Sequence, residues 1–400
     1  MQPLILLLTA VSFAISFAAT AAMKRIAPRV GFVDKPGHRK IHHTPKPLGG
    51  GVAIFLGTVV PVMAGLLYVN AFPPPDQEAV ARHWSGAQHQ TPLALKVVGA
   101  MLLMHLLGLW DDRRALGPLV KLFIQLGVTT ALVVWADLRA LTVLDDLGLG
   151  IVPSVVITVL WIAAITNAFN FLDNMDGLSA GVAAVCTTAF LITTLLIGQW
   201  FVAAMLALLL GALLGFLCFN FAPASIFMGD SGSLVIGLVL GVLTIRTTYL
   251  PTTPDGRPVP LGAGWYAILA PLIVLAVPLY DLVVVSAIRI MNGKSPFVGD
   301  TNHFSHRLVA RGMSKRTAVL CIYLITAATS VAAIILPHVQ TTFAAMMIFG
   351  QTVLILGVVM LLEQHPLPVP PEVRETGMDA PTVAAPAAQG TTETPHHAHR

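Results

Sequence analysis

Four polar residues spaced three apart form the strongest chemical signal in the sequence. Asn167, Asn170, Asp173 and Asp176 stand at the end of an apolar run and are followed by Gly177. On a continuing helix, this spacing would place them in one slowly drifting polar stripe. Amide and carboxylate oxygens are hard ligands that suit Mg²⁺ or Mn²⁺. The alternative is a capping cluster at a helix junction, which would explain one or two of these residues but not all four.

A pair of adjacent carboxylates follows an earlier apolar run. Asp111 and Asp112 precede two arginines, and Lys121 lies about two helical turns further on. Adjacent carboxylates repel each other, so they need a metal, a cation or a shared proton. The alternative is a solvated turn in which the arginines neutralise the pair.

Another carboxylate opens an apolar run further along the chain. Asp230 lies in the segment Met228-Gly-Asp-Ser-Gly-Ser. It is a natural helix N-cap, and the free N–H groups of such a helix end could also hold a metal-bound diphosphate. Phe227, just before this segment, could serve as packing or as a stacking surface for a base.

Basic residues gather in two other segments. His303 and His306 could share a helical face with Arg307 alongside, and because no third ligand has zinc spacing we expect them to contact phosphate. The alternative is a positively charged loop that only fixes the orientation in the membrane. The segment 34–51 contains Lys46 and ends in three glycines, and it is either a positive anchor at the membrane or a phosphate- or nucleotide-binding loop. Asp281, inside an apolar run, is expected to face the interior as structural support.

These residues are distributed among long apolar runs. The chain is 56% hydrophobic and 10% charged, whereas a soluble domain carries about a quarter charged residues. Runs long enough to cross a bilayer as helices predict an all-α polytopic membrane protein with about 11 transmembrane helices. The predicted spans are 2–22, 49–69, 93–110, 117–136, 151–172, 177–197, 200–221, 230–246, 264–289, 318–337 and 340–362.

The distribution of positive charge predicts the orientation of these spans. With residues at the span ends included, the odd-numbered loops hold 15 Lys and Arg and the even-numbered loops hold 4. Positive loops remain inside, so we expect the N-terminus outside, the polar loops in the cytoplasm and the protein in the plasma (inner) membrane. Residues 1–362 are expected to form the membrane domain, and the Pro-, Ala- and Thr-rich segment 363–400 is expected to be a disordered tail.

In this order and on alternate loops, the motifs resemble those of the polyprenyl-phosphate N-acetylhexosamine-1-phosphate transferases. This membrane family, glycosyltransferase family 4, includes the phospho-N-acetylmuramoyl-pentapeptide transferase. The resemblance covers roughly residues 30–320 and is carried by Asp111-Asp112, Asn167-x-x-Asn170-x-x-Asp173-x-x-Asp176-Gly177, Met228-Gly-Asp230-x-Gly-Ser and His303-x-x-His306-Arg307-Leu.

One motif helps to choose a branch of the family. Ser305 stands where many N-acetylhexosamine members have a histidine, and the run of histidines followed by Phe-Glu of the pentapeptide branch is absent. The resemblance therefore favours the N-acetylhexosamine branch and leaves the particular sugar open, with a phospho-N-acetylmuramoyl-pentapeptide transferase as the alternative.

The resemblance implies a reaction and a cofactor. A sugar 1-phosphate would pass from a UDP-N-acetylhexosamine to a polyprenyl phosphate such as undecaprenyl phosphate, with release of UMP and with Mg²⁺ or Mn²⁺ as cofactor. Asn170 and Asp230 would hold the metal on the diphosphate. Asp111 and Asp112 would activate or orient the lipid phosphate, and Lys121 would contact phosphate.

The resemblance also implies residues for the nucleotide and the sugar. Asp173 and Asp176 would line the nucleotide site, with Asp173 as the nucleophile in one version of the mechanism. Phe227 would stack on uracil, and Lys46 would reach the uracil carbonyl. The residues implied to bind the diphosphate, the sugar or another part of the substrate are Asn167, His303, His306 and Arg307.

The sequence leaves the reaction route and the oligomeric state open. The lipid phosphate could attack directly, or a carboxylate could first form a phospho-enzyme. We expect membrane lipid but no nucleic acid as a partner, and leave a homodimer open.

A rival of another class is a cation-coupled secondary transporter, which predicts broken helices near mid-membrane and an internal repeat. The sequence shows no repeat, and the polar residues lie at span ends on one side, which favours an enzyme over a transporter. The resemblance implies that this enzyme catalyses the first membrane step of cell-wall or surface polysaccharide synthesis.

Overall fold

The computed structural model describes residues 1–34, 45–147, 150–247, 265–296 and 302–364. The elements up to residue 172 are α1 (Gln2–Arg29), β1 (Val33–Asp34), β2 (Lys46–Pro47), α2 (Gly50–Ala71), α3 (Glu78–Ala81), α4 (Trp84–Arg113), α5 (Pro118–Trp135), a 3₁₀ turn (Thr142–Leu147) and α6 (Val152–Leu172). The remaining elements are α7 (Leu178–Leu196), α8 (Trp200–Asn220), α9 (Asp230–Thr247), α10 (Tyr266–Val274), α11 (Ala276–Met291), α12 (Phe304–Ala310), α13 (Lys315–Ile335), a second 3₁₀ turn (Leu336–His338) and α14 (Thr342–Gln364). The basic segment 35–44 and the tail from residue 365 onward lie outside the described residues.

The predicted all-α membrane fold is confirmed. Among the described residues, ten helices are long and apolar enough to cross a membrane, and the pair α10 and α11 adds an eleventh span if it is taken as one. Backbone groups in lipid must be satisfied within the segment itself, and the helices do this. The span boundaries agree with the predicted ones to within a few residues, except where helices continue beyond the apolar core.

The ninth predicted span, 264–289, is not one straight helix. It consists of α10 and α11, which meet at Leu275 at an angle of 69°. Pro278 lies in the first turn of α11 and has no N–H to donate to the Val274 carbonyl, against which its ring would also clash. The continuous helix expected from hydropathy therefore breaks at this point.

Helix α9 is the centre of the bundle. In its most apolar window, 89% of the residues are buried inside the protein, compared with 22% for α1 and 17% for α14. It packs against α6, α4 and α2. The residue at its N-terminus, Asp230, is therefore surrounded by the ends of several other helices.

Glycines allow α2 and α4 to approach the start of α9 closely. A Cβ atom added at Gly108 would lie 2.3 Å from the backbone nitrogen of Ser231, and one at Gly51 would lie 2.3 Å from that of Gly232. Side chains at either position would push the helices apart. These contacts fix the backbone beneath the polar residues described below.

Candidate active site

The predicted polar residues meet at one end of the bundle, called here the site end. The C-terminal ends of α4 and α6 lie there, together with the N-terminal ends of α5, α7 and α9. Successive helices run in opposite directions, so every second connection returns to the same end. Residues from loops that are far apart in the chain are brought together in this way.

Asp112 binds the N-terminus of α9. Its carboxylate accepts hydrogen bonds from the N–H groups of Asp230, at 2.7 Å, and Ser231, at 3.1 Å. A helix N-terminus leaves such donors without intrahelical partners, and the positive end of the helix dipole favours a carboxylate. Asp230, predicted as a possible N-cap, is instead the first helical residue, and Asp112 supplies the cap from another helix. Gly229 has φ +75°, and a Cβ there would lie 2.5 Å from Asp112 Oδ2.

Lys121 lies between two carboxylates at the site end. Its Nζ is 3.3 Å from Asp111 Oδ2 and also donates a hydrogen bond to Asp230 Oδ2. Asp111 Oδ1 accepts a second bond from the Leu116 N–H at 2.8 Å. The side chains of Lys121, Asp111 and Asp230 are 16%, 18% and 22% exposed, so they are shielded from bulk solvent yet open to a ligand.

Asn170 joins this group from α6. Its Nδ2 donates to Asp230 Oδ1 at 2.8 Å and to Ser233 Oγ at 2.9 Å. Asp230 therefore contacts Lys121 with one oxygen and Asn170 with the other. We call Asp111, Lys121, Asn170, Asp173 and Asp230 the carboxylate cluster.

Asp173 completes the cluster, although it is not on a helix as expected. Helix α6 ends at Leu172, and Asp173 and Asp176 lie in the turn before α7. The prediction of one helical stripe of four residues is therefore correct only for Asn167 and Asn170. Burial raises the pKa of the Asp173 carboxyl well above its ordinary value, and the negative charges of Asp230 and Asp112 raise it further. A hydrogen bond from the Gly229 N–H opposes this shift.

The cluster has the ligand chemistry that Mg²⁺ requires. No three His, Cys, Asp or Glu side chains of the described residues converge as a preformed metal site. Mg²⁺ is usually bound by one or two carboxylates together with substrate phosphates and water, not by a cage of protein ligands. The Asp230 carboxylate fits that pattern. Asn170 lies beside it, with Nδ2 donating to Asp230 Oδ1 at 2.8 Å, and would offer its amide oxygen to the ion.

A second group surrounds the loop that precedes α9. Lys46 Nζ donates to the Ala224 carbonyl at 2.9 Å, and Asp176 Oδ2 accepts from the Ala224 N–H at 2.8 Å. The Phe227 N–H donates to the Pro47 carbonyl at 2.9 Å. The structure therefore brings together Lys46, Asp176 and Phe227, which the resemblance assigns to the nucleotide.

The histidines belong to a third group. His303 Nδ1 lies 2.8 Å from Asp281 Oδ2, and the Phe304 N–H donates to Asp281 Oδ1 at 2.6 Å. Asp281 is 0% exposed and thus faces the interior, as predicted. Arg289 Nη2 is 3.5 Å from His303 Nε2. The His306 ring lies 6.3 Å from the His303 ring, centre to centre.

Two contacts connect the histidines with the C-terminal end of α6 and the turn that follows it. The Phe171 ring packs edge-on against His303 at 5.6 Å and under the Arg289 guanidinium at 5.0 Å. The Ser305 hydroxyl donates to Asn174 Oδ1 at 2.5 Å. Phe171 directly follows Asn170 in the chain, so the histidine group is adjacent to the carboxylate cluster.

Arg307 is held by the carboxylate of Glu363, which lies in the segment 363–400 predicted to be the tail. Its Nε and Nη2 donate to the two oxygens of Glu363 at 3.0 and 3.1 Å, a bidentate pair. Tyr280 OH also donates to Glu363, at 3.0 Å. Because α14 continues through Gln364, Glu363 belongs to this helix and is 5% exposed.

Comparisons with known proteins decide the family. Residues 94–248 match the model of glycosyl transferase family 4. The chain is 34% identical to the probable undecaprenyl-phosphate N-acetylglucosaminyl 1-phosphate transferase of Bacillus subtilis, over 82% of this chain and 84% of that protein. The chain belongs to glycosyl transferase family 4. It is a membrane enzyme of the polyprenyl-phosphate N-acetylhexosamine-1-phosphate transferase group.

More distant relatives agree with this assignment. A decaprenyl-phosphate N-acetylglucosaminephosphotransferase of Mycobacterium tuberculosis is 33% identical, with 78% of this chain and 77% of the relative covered. The undecaprenyl-phosphate alpha-N-acetylglucosaminyl 1-phosphate transferase of Escherichia coli K12 is 27% identical, with 76% of each covered. Membership of family 4 confirms the family expected from the loop motifs and favours the enzyme over a transporter.

One predicted substrate residue of this family 4 enzyme lies away from the carboxylate cluster. Asn167 Nδ2 donates to Gln125 Oε1 at 2.9 Å and to the Ala163 carbonyl at 2.8 Å. Gln125 is fully buried on α5. In the structure, the Asn167 side chain thus joins α6 to α5.

Three residues of the site end were missed in the sequence. Gln125 lies in the middle of one apolar run and Arg289 at the end of another. The rule that polar residues in such runs face the interior would have identified both, as it did Asp281. Glu363 carries no comparable signal, because it lies where the apolar run passes into a Pro-rich segment.

Proposed function

We propose that this enzyme transfers N-acetylglucosamine 1-phosphate from UDP-N-acetylglucosamine to a polyprenyl phosphate, in a reaction that depends on Mg²⁺. The observation that carries the proposal is the carboxylate cluster, in which Asp230 contacts both Lys121 and Asn170. The names of the relatives support the sugar and the lipid acceptor. The UDP donor follows from the family resemblance of the loops.

The reaction exchanges one phosphoanhydride for another. An oxygen of the lipid phosphate forms a bond to the β-phosphorus of the UDP-sugar, and the bond between that phosphorus and the bridging oxygen breaks. UMP leaves with this oxygen, and the lipid diphosphate sugar remains. A phosphate monoester has a second pKa of about 6, so the acceptor is largely ionised at neutral pH and needs orientation more than deprotonation.

The site must compensate for the negative charge of its two substrates. Two phosphorylated substrates must meet beside the carboxylates of Asp111 and Asp230, which would repel them. Bound Mg²⁺ would neutralise the diphosphate and stabilise the charge that develops during transfer. Lys121 adds a fixed positive charge between two of the carboxylates. Asp230 and Asn170 are the residues that would hold the metal.

The histidine group fits the sugar phosphate. His303 is oriented by Asp281, whose Oδ2 accepts from the His303 Nδ1–H, and His303 Nε2 lies on the side of Arg289. Such an arrangement fixes the tautomer and the ring position. Arg289 and Arg307 lie in the same region and supply the planar guanidinium groups that bind phosphate well. Lys46, Asp176 and Phe227 would receive the uridine.

Two routes use this site equally well in chemical terms. In direct attack, Asp173 orients the groups and remains unmodified. In the two-step route, the Asp173 carboxylate attacks the β-phosphorus first and releases UMP, and the lipid phosphate then displaces the aspartate. Trapping of radiolabel on the protein from the β-phosphate, with UMP released before lipid is added, would indicate the second route.

We further propose that the site end faces the cytoplasm and that the reaction is the first membrane step of a surface polysaccharide pathway. A UDP-sugar cannot enter lipid, whereas a polyprenyl phosphate keeps its headgroup at the interface. The excess of Lys and Arg in the odd-numbered loops supports the orientation. In a variant without native cysteines, a membrane-impermeant maleimide should label Asp76→Cys in intact cells but label Arg114→Cys only after permeabilisation. The reverse pattern would refute the orientation.

The donor can be tested with the full-length enzyme in detergent. Undecaprenyl phosphate and Mg²⁺ are supplied with UDP-N-acetylglucosamine or UDP-N-acetylgalactosamine, and UMP release is measured together with the lipid product. We expect faster release with the N-acetylglucosamine donor and a diphosphate-linked sugar in the lipid fraction. UMP release without lipid-linked sugar, or a faster rate with the other donor, would contradict the proposal.

A further inference from the structure

A cavity lies at the end of the bundle opposite the site end. Its volume is about 670 Å³, and it is enclosed by α1, α2, α4 and α8. Apolar side chains from each of these helices line its inner part, among them Leu8, Leu66 and Leu208. Leu208 lies two turns inside α8, roughly 12 Å from the helix start at about 1.5 Å per residue. The cavity therefore extends from the membrane surface into the apolar layer.

The outer part of the cavity is polar and positively charged. Arg82 and Arg246 line it, and Arg246 is the penultimate residue of α9. Arg82 also pairs with Glu78, but both side chains are exposed, which makes this pair weak. No carboxylate of the described residues lines the cavity. Its charge therefore favours an anion at the mouth.

A buried donor adds to this arrangement. Trp84 lines the cavity and is 6% exposed, yet its indole Nε1–H has no hydrogen-bond partner among the described residues. Buried donors of this kind almost always have an acceptor. The Tyr68 ring packs edge-on against Trp84 at 5.5 Å, and aromatic residues of this type are typical of the headgroup level of a membrane.

We infer that this cavity is a binding site for a single anionic phospholipid. An acyl chain fits the apolar inner part, and the phosphate would lie near Arg82 and Arg246. An ester carbonyl or phosphate oxygen would accept from Trp84. Basic pockets between transmembrane helices bind anionic headgroups in the same way. The site is separate from the carboxylate cluster and does not depend on the proposed reaction.

Native mass spectrometry of the full-length protein tests this inference, with phosphatidylglycerol and phosphatidylcholine as probes. Gly65 lines the cavity, and a Cβ added there meets no atom within 4 Å. Gly65→Phe should therefore fill the cavity without disturbing the helices. Gly99→Phe is the matched control, because Gly99 also faces open space on a membrane helix but does not line the cavity.

We expect the unmodified protein to retain one phosphatidylglycerol with a preference of about fivefold or more over phosphatidylcholine. Gly65→Phe should lose this lipid, whereas Gly99→Phe should keep it. Arg246→Gln should remove the preference, and melting temperatures measured without lipid identify any variant that fails to fold. Equal retention of both lipids by the unmodified protein would overturn the inference. Retention of phosphatidylglycerol by a folded Gly65→Phe would do so as well.

Discussion

The backbone N–H of Asp230 donates a hydrogen bond to the side-chain Oδ1 of Asp112 at 2.7 Å, although the two residues are 118 positions apart in the sequence. This bond attaches the end of α4 to the start of the central helix. It also holds the Asp230 carboxylate where it meets Lys121 and Asn170. The two adjacent aspartates of the sequence therefore differ in their environment, since Asp111 contacts Lys121 and Asp112 caps α9.

This difference predicts separable effects of the two substitutions. Asp112→Ala should lower both the melting temperature and UMP release, because loss of a helix cap costs about 0.5–2 kcal/mol and Asp230 loses its support. Asp111→Ala should reduce UMP release with little change in melting temperature. Thermal unfolding in detergent and the UMP assay measure both quantities. An unchanged melting temperature for Asp112→Ala would refute the capping role.

Lys121 should be required for activity through its charge. Lys121→Met leaves Asp111 and Asp230 facing the substrate phosphates without a cation between them, and we expect UMP release to fall roughly 100-fold, as for loss of other fixed electrostatic groups. Lys121→Arg should retain part of the activity. The control is Lys96→Met, because Lys96 lies on α4 at the opposite end and donates to the Trp135 carbonyl. Similar rates for the two methionine variants would contradict this role.

The raised pKa of Asp173 predicts how stability depends on pH. Between the ordinary pKa of 3.8 and the raised one, the folded protein retains a proton that the unfolded chain releases. The free energy of unfolding should therefore fall as pH rises through this window. Asp173→Asn removes the ionisation, so its melting temperature should depend less on pH. Asp76→Asn, at the opposite end, should follow the unmodified protein; an equally steep dependence in Asp173→Asn would exclude this origin.

The sequence predicted those features that depend on composition and local spacing. Long apolar runs predicted the eleven spans. The polar residues at the ends of alternate spans predicted that Asp111, Asn170, Asp173 and Asp230 lie on one face of the membrane. The bend at Leu275 was missed because a hydropathy profile does not show that Pro278 lacks a backbone N–H. The predicted span 151–172 ends where α6 ends, but the helical stripe was extended to Asp173 and Asp176 because a spacing of three fits both a helix and a turn.

Partners that are distant in the chain could not be predicted from local patterns. Nothing near Asp112 indicates that it binds the N–H groups of α9, and nothing near Glu363 indicates that it holds Arg307. Both contacts depend on how the helices pack against each other. In the same way, Asn167 shares the spacing of Asn170, yet packing directs it to Gln125 on α5.

The bidentate contact predicts a positioning role for Glu363. Glu363→Gln weakens the charge-assisted pair that holds Arg307, so we expect the KM for the UDP-sugar to rise about tenfold while kcat changes less. A chain ending at residue 365 should keep full activity, since it retains α14. The control is Glu78→Gln, which removes an exposed pair with Arg82. Matching kinetics of Glu363→Gln and Glu78→Gln would exclude the role.

The carboxylate cluster is proposed to bind Mg²⁺ together with the diphosphate. This binding is tested most directly by the rate of UMP release as a function of Mg²⁺ concentration in the unmodified enzyme, Asp230→Asn and Asp76→Asn. We expect EDTA to abolish release and Mg²⁺ to restore it, with Asp230→Asn needing at least 10-fold more Mg²⁺ and Asp76→Asn behaving as the unmodified enzyme. Release that persists in EDTA, or an unchanged Mg²⁺ dependence in Asp230→Asn, would contradict the claim.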